Sequence, residues 1–374
     1  MNNKAINANV LRERMVERGL SAADIADELS VSRTIVSEWI RGRKVPRPRM
    51  LFEIGRLLGL KASDLIIHSD VAEPVVAFRK RSNCKPDQNV AVEMGYALEH
   101  LVDYLPFNKY QSPPGLISPK YSPEYIEKAA EGMRKTLNGN ELVIEVKDLI
   151  ARYGDLKIVP IPVLWGEKDV KYNALSIFLP ESGTNWVFLN LDVKPMDFKF
   201  WILHEMIHSM VRGKFTDKVE EEKFCDDLSA AILVPREFAE KLLEETLAAD
   251  ETGTKFEPIF AAACSLVVSP ITLTKRVDAV AKQKKIVPPF GADVFSVNTD
   301  FNKEFGLVSE KYFDSRLPSA EDLIRVSERE FDTPVYTALG AYLRASNASE
   351  GFVTASLGIS PVDAKAVYRA LVKE

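Results

Sequence analysis

His204 and His208 stand four residues apart in Lys199–Val211, a segment apolar along one side, and Glu205 directly follows the first of them. On an α-helix this spacing puts both imidazoles on one face, one turn apart, as two ligands of one small ion require. Glu205 then sits where it can reach a water held by the same ion. Zinc lowers the pKa of such a water to about 7, and a neighbouring carboxylate can take its proton. The chain has only 4 histidines, so finding two of them in this pattern is informative. The competing reading is an amphipathic helix whose histidines are polar core residues.

A third ligand is expected on a nearby helix. In Glu220–Pro235, residues Phe224, Leu228, Ala231 and Ile232 form the apolar stripe. Glu222 and Asp226 are four apart on a common face. Glu222 could bind the ion while Asp226 hydrogen-bonds the far nitrogen of a ligand histidine and orients it. The same residues also read as a solvated acidic helix start, favoured by the helix dipole. Residue types alone leave both readings open, with Glu220, Glu221 and Asp226 as alternative ligands.

A second functional pattern lies at Ser21–Gly42, which reads as two short helices joined by a tight turn, with Ser21 and Ser32 as N-caps. The second helix offers Arg33, Thr34, Ser37, Glu38 and Arg41, and Arg43, Lys44, Arg47 and Arg49 follow. Short polar and basic side chains at a helix start can reach base edges, while trailing cations suit phosphates. A helical protein-interaction module with a basic face would look similar.

The elements that carry these residues fall into four stretches. Residues 1–68 read as an all-helical unit, and 69–122, broken by Pro74, Pro86, Pro106, Pro113, Pro114 and Pro119, as a linker with a helical insert near Val90–Tyr104. Residues 123–250 read as α+β. Ser122-Pro123-Glu124 starts a helix over Tyr125–Leu137, and a second covers Glu141–Tyr153. Strands are expected at Ile158–Leu164, Ala174–Leu179 and Trp186–Leu191, with Gly183-Thr184-Asn185 as a turn. Helices follow at Asp197–Val211, Glu220–Leu233 and Arg236–Ala248. Residues 251–374 read as a helical C-terminal region. Phe260–Val277 there has another helix-turn-helix rhythm, with Lys275, Arg276, Lys282, Lys284 and Lys285 nearby, and reads best as a packing unit. Ala355–Pro361 has the same rhythm without basic residues. The fold class is multidomain, mainly α, with one small α+β domain.

Composition is that of an ordinary globular chain: 374 residues, 46% hydrophobic, 28% charged and net charge −5. That balance excludes a protein that coats nucleic acid over its whole surface, but not one basic module on an acidic body. The 3 cysteines, Cys84, Cys225 and Cys264, are odd in number and form no CxxC pair, so neither a disulfide framework nor a cysteine zinc ribbon is expected. Cys84 and Cys264 read as core or inert. No apolar run approaches the roughly 20 residues that span a bilayer, and the first residues lack the apolar core of a signal peptide. A cytoplasmic location with no membrane partner is expected.

Two resemblances sharpen these readings. The His204–His208 motif, followed by Glu220–Asp227 and Leu228–Pro235, resembles the ImmA/IrrE family of zinc peptidases over about Leu137–Glu237, with a weaker echo to Val280. Aligned on Leu233-Val234-Pro235, the resemblance implies a zincin-like domain, Zn2+ held by His204, His208 and Glu222, an orienting role for Asp226, and Glu205 as catalytic base. Cys225 takes the usual Ala place and Leu228 the usual Phe. Residues Asn9–Ile67 resemble the Cro/CI-like (XRE) helix-turn-helix, carried by Ile25-Ala26, Val31-Ser32, Trp39-Ile40-Arg41-Gly42 and Val45-Pro46. Here Ala22 replaces the customary Gln, and Ser30 the Gly of the turn. Together they imply a DNA-linked zinc peptidase that binds an operator and cleaves a repressor. The alternative is a DNA-binding repressor or antitoxin that keeps a zinc-peptidase fold and binds a toxin. A homodimer is compatible with either.

Overall fold

In the computed structural model, short amphipathic stretches with well-formed caps build the N-terminal unit, Met1–Glu73. Strand β1 (Lys4–Ile6) leads into α1 (Ala8–Glu17), α2 (Ala22–Glu28), α3 (Arg33–Ile40), α4 (Pro48–Leu58) and β2 (Ile66–His68). Ser21 and Asp24 cap each other's backbone: Ser21 Oγ accepts from the Asp24 N–H at 3.3 Å and Asp24 Oδ2 from the Ser21 N–H at 2.7 Å. This satisfies two of the donors a helix start leaves open. Ser32 Oγ caps α3 through the Ile35 N–H at 3.3 Å. Leu11, Ile25, Val36, Trp39, Ile54 and Leu58 form the core, each contributing about 1.5–3 kcal/mol by burial. Strands β1 and β2 pair antiparallel and bring the two ends of the unit together, a feature the all-helical expectation did not contain. The structure describes residues 4–42, 44–68, 73–80, 88–106, 115–139, 141–165, 172–250, 254–290, 294–315 and 318–372; Cys84 lies outside them.

The second unit, Pro74–Glu374, is built on one four-stranded sheet. Its elements run β3 (Val75–Lys80), α5 (Gln88–Glu99), α6 (Pro123–Asn138), α7 (Val146–Asp155), β4 (Ile158–Val163), β5 (Tyr172–Leu179), β6 (Thr184–Asn190), α8 (Pro195–Val211), α9 (Lys218–Leu233) and α10 (Arg236–Asp250). Eight further helices follow: α11 (Phe256–Leu266), α12 (Pro270–Gln283), α13 (Val294–Lys303), α14 (Val308–Tyr312), α15 (Ala320–Phe331), α16 (Val335–Ser346), α17 (Glu350–Leu357) and α18 (Pro361–Val372). Strand order is β3-β5-β6-β4, with β4 parallel to β6 and the other pairs antiparallel.

Residues 69–122 are therefore not simply a linker. Val75–Lys80 from that stretch is an edge strand of the sheet, paired along β5. Helix α5 packs Ala91, Met94 and Leu98 into the core on one face. Gly95 makes the close approach possible, because a Cβ there would stand 2.5 Å from the Pro74 side chain. Nor is the C-terminal region separate, since its helices cover both faces of the sheet. Ile259, Leu273, Val277 and Phe331 join the core around α8, while Val335, Leu339, Val353 and Val367 join the core on the opposite face. Strand β6 explains why both are needed: Trp186 and Phe188 point to one face, Val187 and Leu189 to the other, and all seven residues are buried.

Helix α8 is apolar on most sides and lies inside the unit. Met196, Leu203, Met206, Ile207 and Val211 are buried along it, and it ends at Arg212–Gly213, with Gly213 at φ 70°. Helix α9 starts at Asp217, whose side chain accepts from the Val219 N–H at 2.8 Å. It packs beside α8 through Phe224 and Leu228. The buried Arg134 of α6 donates to the Ile232 and Glu141 carbonyls and ties the end of α9 in place. No single helix among the described residues is long and apolar enough to cross a membrane.

Candidate functional site

Helices α8 and α9 bring His204, His208 and Glu222 together. The two Nε2 atoms face each other at 3.0 Å. Glu222 Oε2 is 3.6 Å from His204 Nε2, and its Oε1 is 3.5 Å from His208 Nε2. Among the described residues this is the one group of three such side chains whose ligand atoms all lie within 4.8 Å of one another.

The outer nitrogens decide what those inner ones are. His208 Nδ1 lies 3.0 Å from Glu221 Oε1 in a hydrogen bond. His204 Nδ1 is 3.0 Å from Asp226 Oδ1, but off the hydrogen-bonding direction. An ionised carboxylate only accepts, so it favours the proton on Nδ1 and leaves a lone pair on Nε2. Two such lone pairs at 3.0 Å repel unless a proton or a cation lies between them. Tetrahedral zinc with Zn–N bonds of about 2.0–2.1 Å would set the nitrogens about 3.3 Å apart, a change of a few tenths of an ångström. The donor set, two imidazoles and one carboxylate, is one that zinc takes in hydrolytic sites. The residues fit the ion.

Glu205 is fully buried. Its charge is felt by Tyr153, whose hydroxyl donates to the Ile202 carbonyl at 2.8 Å; burial and then Glu205 hold that phenol well above its usual range. It is felt also by Arg212, just past the end of α8. The guanidinium donates to Asn185 Oδ1 and lies 3.7 Å over the Phe178 ring. Burial pushes its pKa down to about 10, against the opposing charges of Glu221 and Glu205. For His208, burial also disfavours the charge. Hydrogen bonds with Cys225, Glu221 and Glu222 outweigh it and push the pKa up to about 11.

His204 and His208 on α8 are brought together with Glu222 and Asp226 on α9, and Glu205, next to His204 in α8, is buried. Sequence reasoning missed two neighbours. Glu221 was read only as an acidic helix start or an alternative ligand, and Arg212 was not singled out. The spacing of Glu221, thirteen residues beyond His208, carries no helical period, so nothing local pointed to the contact.

On the N-terminal unit, Arg33, Thr34, Arg41 and Lys44 are exposed. Ser37 and Glu38 are half-buried. The Ser37 hydroxyl donates to the Arg33 carbonyl at 3.0 Å, and Glu38 lies 4.0 Å from Arg41. Arg43 falls outside the described residues. The turn before α3 keeps its left-handed residue at Ser30, φ 53°.

A family model for a helix-turn-helix matches residues 11–65. This match supports a DNA-binding transcription regulator that engages DNA through its N-terminal unit. No curated protein and no solved structure matches the chain.

The second helix-turn-helix rhythm is a packing unit. Helix α12, its second helix, buries Leu273, Val277 and Val280. Its Arg276 is buried too, holding Glu127 through two 2.7 Å bonds. A cavity of about 360 Å³ nearby is lined by Pro123, Glu124, Glu127, Arg236 and Gln283 and shares no residue with the histidine cluster. Cys264, expected to be core or inert, is exposed on α11.

Proposed function

We propose that the chain is a DNA-linked zinc peptidase that controls transcription by cleaving a repressor protein. The observation that supports this most is the facing pair of Nε2 atoms at 3.0 Å, closed by Glu222, on a helix that also buries Glu205. His204, His208 and Glu222 would hold the ion. Three protein ligands leave a fourth position open, whereas purely structural zinc is usually closed by four. Zinc, when bound, polarises a carbonyl and makes a water acidic near neutral pH. Glu205 then accepts the proton of the attacking water and passes it to the leaving amine. The helix-turn-helix carries this activity to an operator or to a protein bound there.

A DNA-binding repressor or antitoxin that keeps the fold without the chemistry is the second reading. The helix-turn-helix match to residues 11–65 supports it equally. Glu205→Gln separates the two. The variant removes the charge and keeps the shape of the side chain and the three ligands, so it should bind zinc and fold as the wild type does. In cells, the partner repressor should be shortened by the wild type under inducing stress and stay intact with Glu205→Gln. Equal partner lengths and equal promoter output in both strains favour the repressor or antitoxin.

A further inference from the structure

We propose that Glu221 is the positioning residue of the second histidine and sets the zinc affinity of the cluster more strongly than Asp226 does. The proposal rests on the zinc reading above. Sequence pattern gives the orienting role to Asp226, four residues after the ligand carboxylate. The geometry divides the work differently. Glu221 Oε1 makes the well-aligned bond, 3.0 Å to His208 Nδ1, and its side chain is only 19% exposed. Asp226 is 52% exposed, and its contact with His204 Nδ1 at 3.0 Å is off the hydrogen-bonding direction. A half-buried acceptor with good direction holds a ring harder than a solvated one, which water competes for.

Glu221 is also the better supported of the two. The Arg212 guanidinium, fastened to Asn185 and stacked on Phe178, feels its charge. The neighbouring acids do not share this role: Glu220 is exposed, and Glu222 faces the two Nε2 atoms from the other side. With His208 held by Glu221, the second ligand is oriented by a hydrogen bond, whereas His204 is oriented by packing against Phe200 and Trp201.

The test is zinc affinity of the full chain, by competition with a chromogenic chelator, for wild type, Glu221→Ala, Glu221→Gln, Asp226→Ala and Asp226→Asn. Loss of an orienting partner typically weakens metal binding by about 10–100-fold, and that loss is expected for Glu221→Ala. Asp226→Ala should lose only about a few-fold by the same measure. Glu221→Gln keeps an oxygen that can accept from Nδ1–H, so it should recover most of the affinity. The visible spectrum of the cobalt(II) form should change shape in Glu221→Ala and return in Glu221→Gln, which a purely structural role would not produce. If Glu221→Ala does not fold, Glu221→Leu, which keeps bulk and removes the acceptor, takes its place and is expected to bind more weakly than Asp226→Ala. The reverse order, or wild-type affinity in Glu221→Ala, overturns the proposal alone. A wild-type chain that binds no zinc overturns the metal reading, and this proposal with it.

Discussion

His204 and His208 turn their Nε2 atoms toward each other at 3.0 Å across one turn of α8, while acids stand behind both rings. Without an ion, the arrangement keeps a proton: the pKa of His208 is pushed up to about 11, burial being outweighed by Cys225, Glu221 and Glu222. Zinc needs the neutral ring, so binding releases that proton. Protein purified without chelator should carry about one zinc per chain, and the His204→Ala, His208→Ala double variant none. Affinity should rise with pH, by about tenfold per unit around neutrality if one proton leaves. Elemental analysis and chelator competition at pH 6.5, 7.5 and 8.5 check both. A zinc-free wild type, or a flat pH response, contradicts this account.

Lys199, five residues before His204 on α8, gives a stability prediction with a definite sign. It is 4% exposed, and its Nζ donates to the Leu266 carbonyl at the end of α11. Burial pushes its pKa down from 10.5 to about 8, against a weaker pull from Glu145. Between those two pH values the unfolded chain holds a proton that the folded chain does not. Stability from this group therefore rises with pH from about 8 to 10.5 and is lost as pH falls through 8. The span is worth at most about 3 kcal/mol. Lys199→Met should remove this rise, so urea midpoints of wild type and variant, compared at pH 7.5 and 10, should draw apart in slope. Parallel pH dependence in the two proteins counts against it.

The histidine pair was legible because a four-residue spacing on an apolar helix is a local property of the chain. The same holds for the Ser21 cap and for the apolar strands expected at Ile158–Leu164 and Trp186–Leu191, although Thr184 and Asn185, read as part of a turn, begin β6 because their pairing with β5 is made across the hairpin. Strand β3 was not legible in this way. Val75–Lys80 sits among prolines that read as a linker, and its partner strand, Tyr172–Leu179, lies about a hundred residues further on. Glu221 was hidden for a related reason: its bond to His208 depends on how α8 and α9 pack. The packing role of Phe260–Val277 was expected, but not the partner of Arg276, since Glu127 lies 149 residues earlier. In each case the missing information was a contact distant in sequence.

Ser30 holds the left-handed conformation, φ 53°, in the turn between α2 and α3, where the related motif has glycine. A side chain there costs roughly 1 kcal/mol against glycine, partly offset by the greater freedom glycine has in the unfolded chain. Ser30→Gly should stabilise the N-terminal unit by a few tenths to about 1 kcal/mol. Hydrogen exchange of α2 and α3 amides in the full chain reads this locally; faster exchange in the variant contradicts it.

DNA binding should depend on a small number of cations, because the chain as a whole carries net charge −5. Arg33 and Thr34 are exposed at the start of α3, and Arg41 at its end is 61% exposed. The 4.0 Å contact of Arg41 with Glu38 is a surface ion pair and contributes little, so DNA phosphate can replace it at small cost. Ser37 donates its hydroxyl to the Arg33 carbonyl and would have to give up that bond to donate to a base, though it can still accept from one. Phosphate contacts therefore fall first to Arg41 and Lys44, and base contacts to Arg33 and Thr34. Affinity of the full chain for a fragment of its own upstream region should fall steeply with salt. Arg41→Ala should weaken binding to all sequences alike and reduce the log–log salt slope by about one. Arg33→Ala should cost about 1–3 kcal/mol on the preferred site and narrow its advantage over unrelated DNA. The measurement is a titration of both variants on specific and unrelated duplexes at several salt concentrations. If neither substitution alters affinity, or wild type binds no duplex even at low salt, the basic face of α3 serves a protein partner instead.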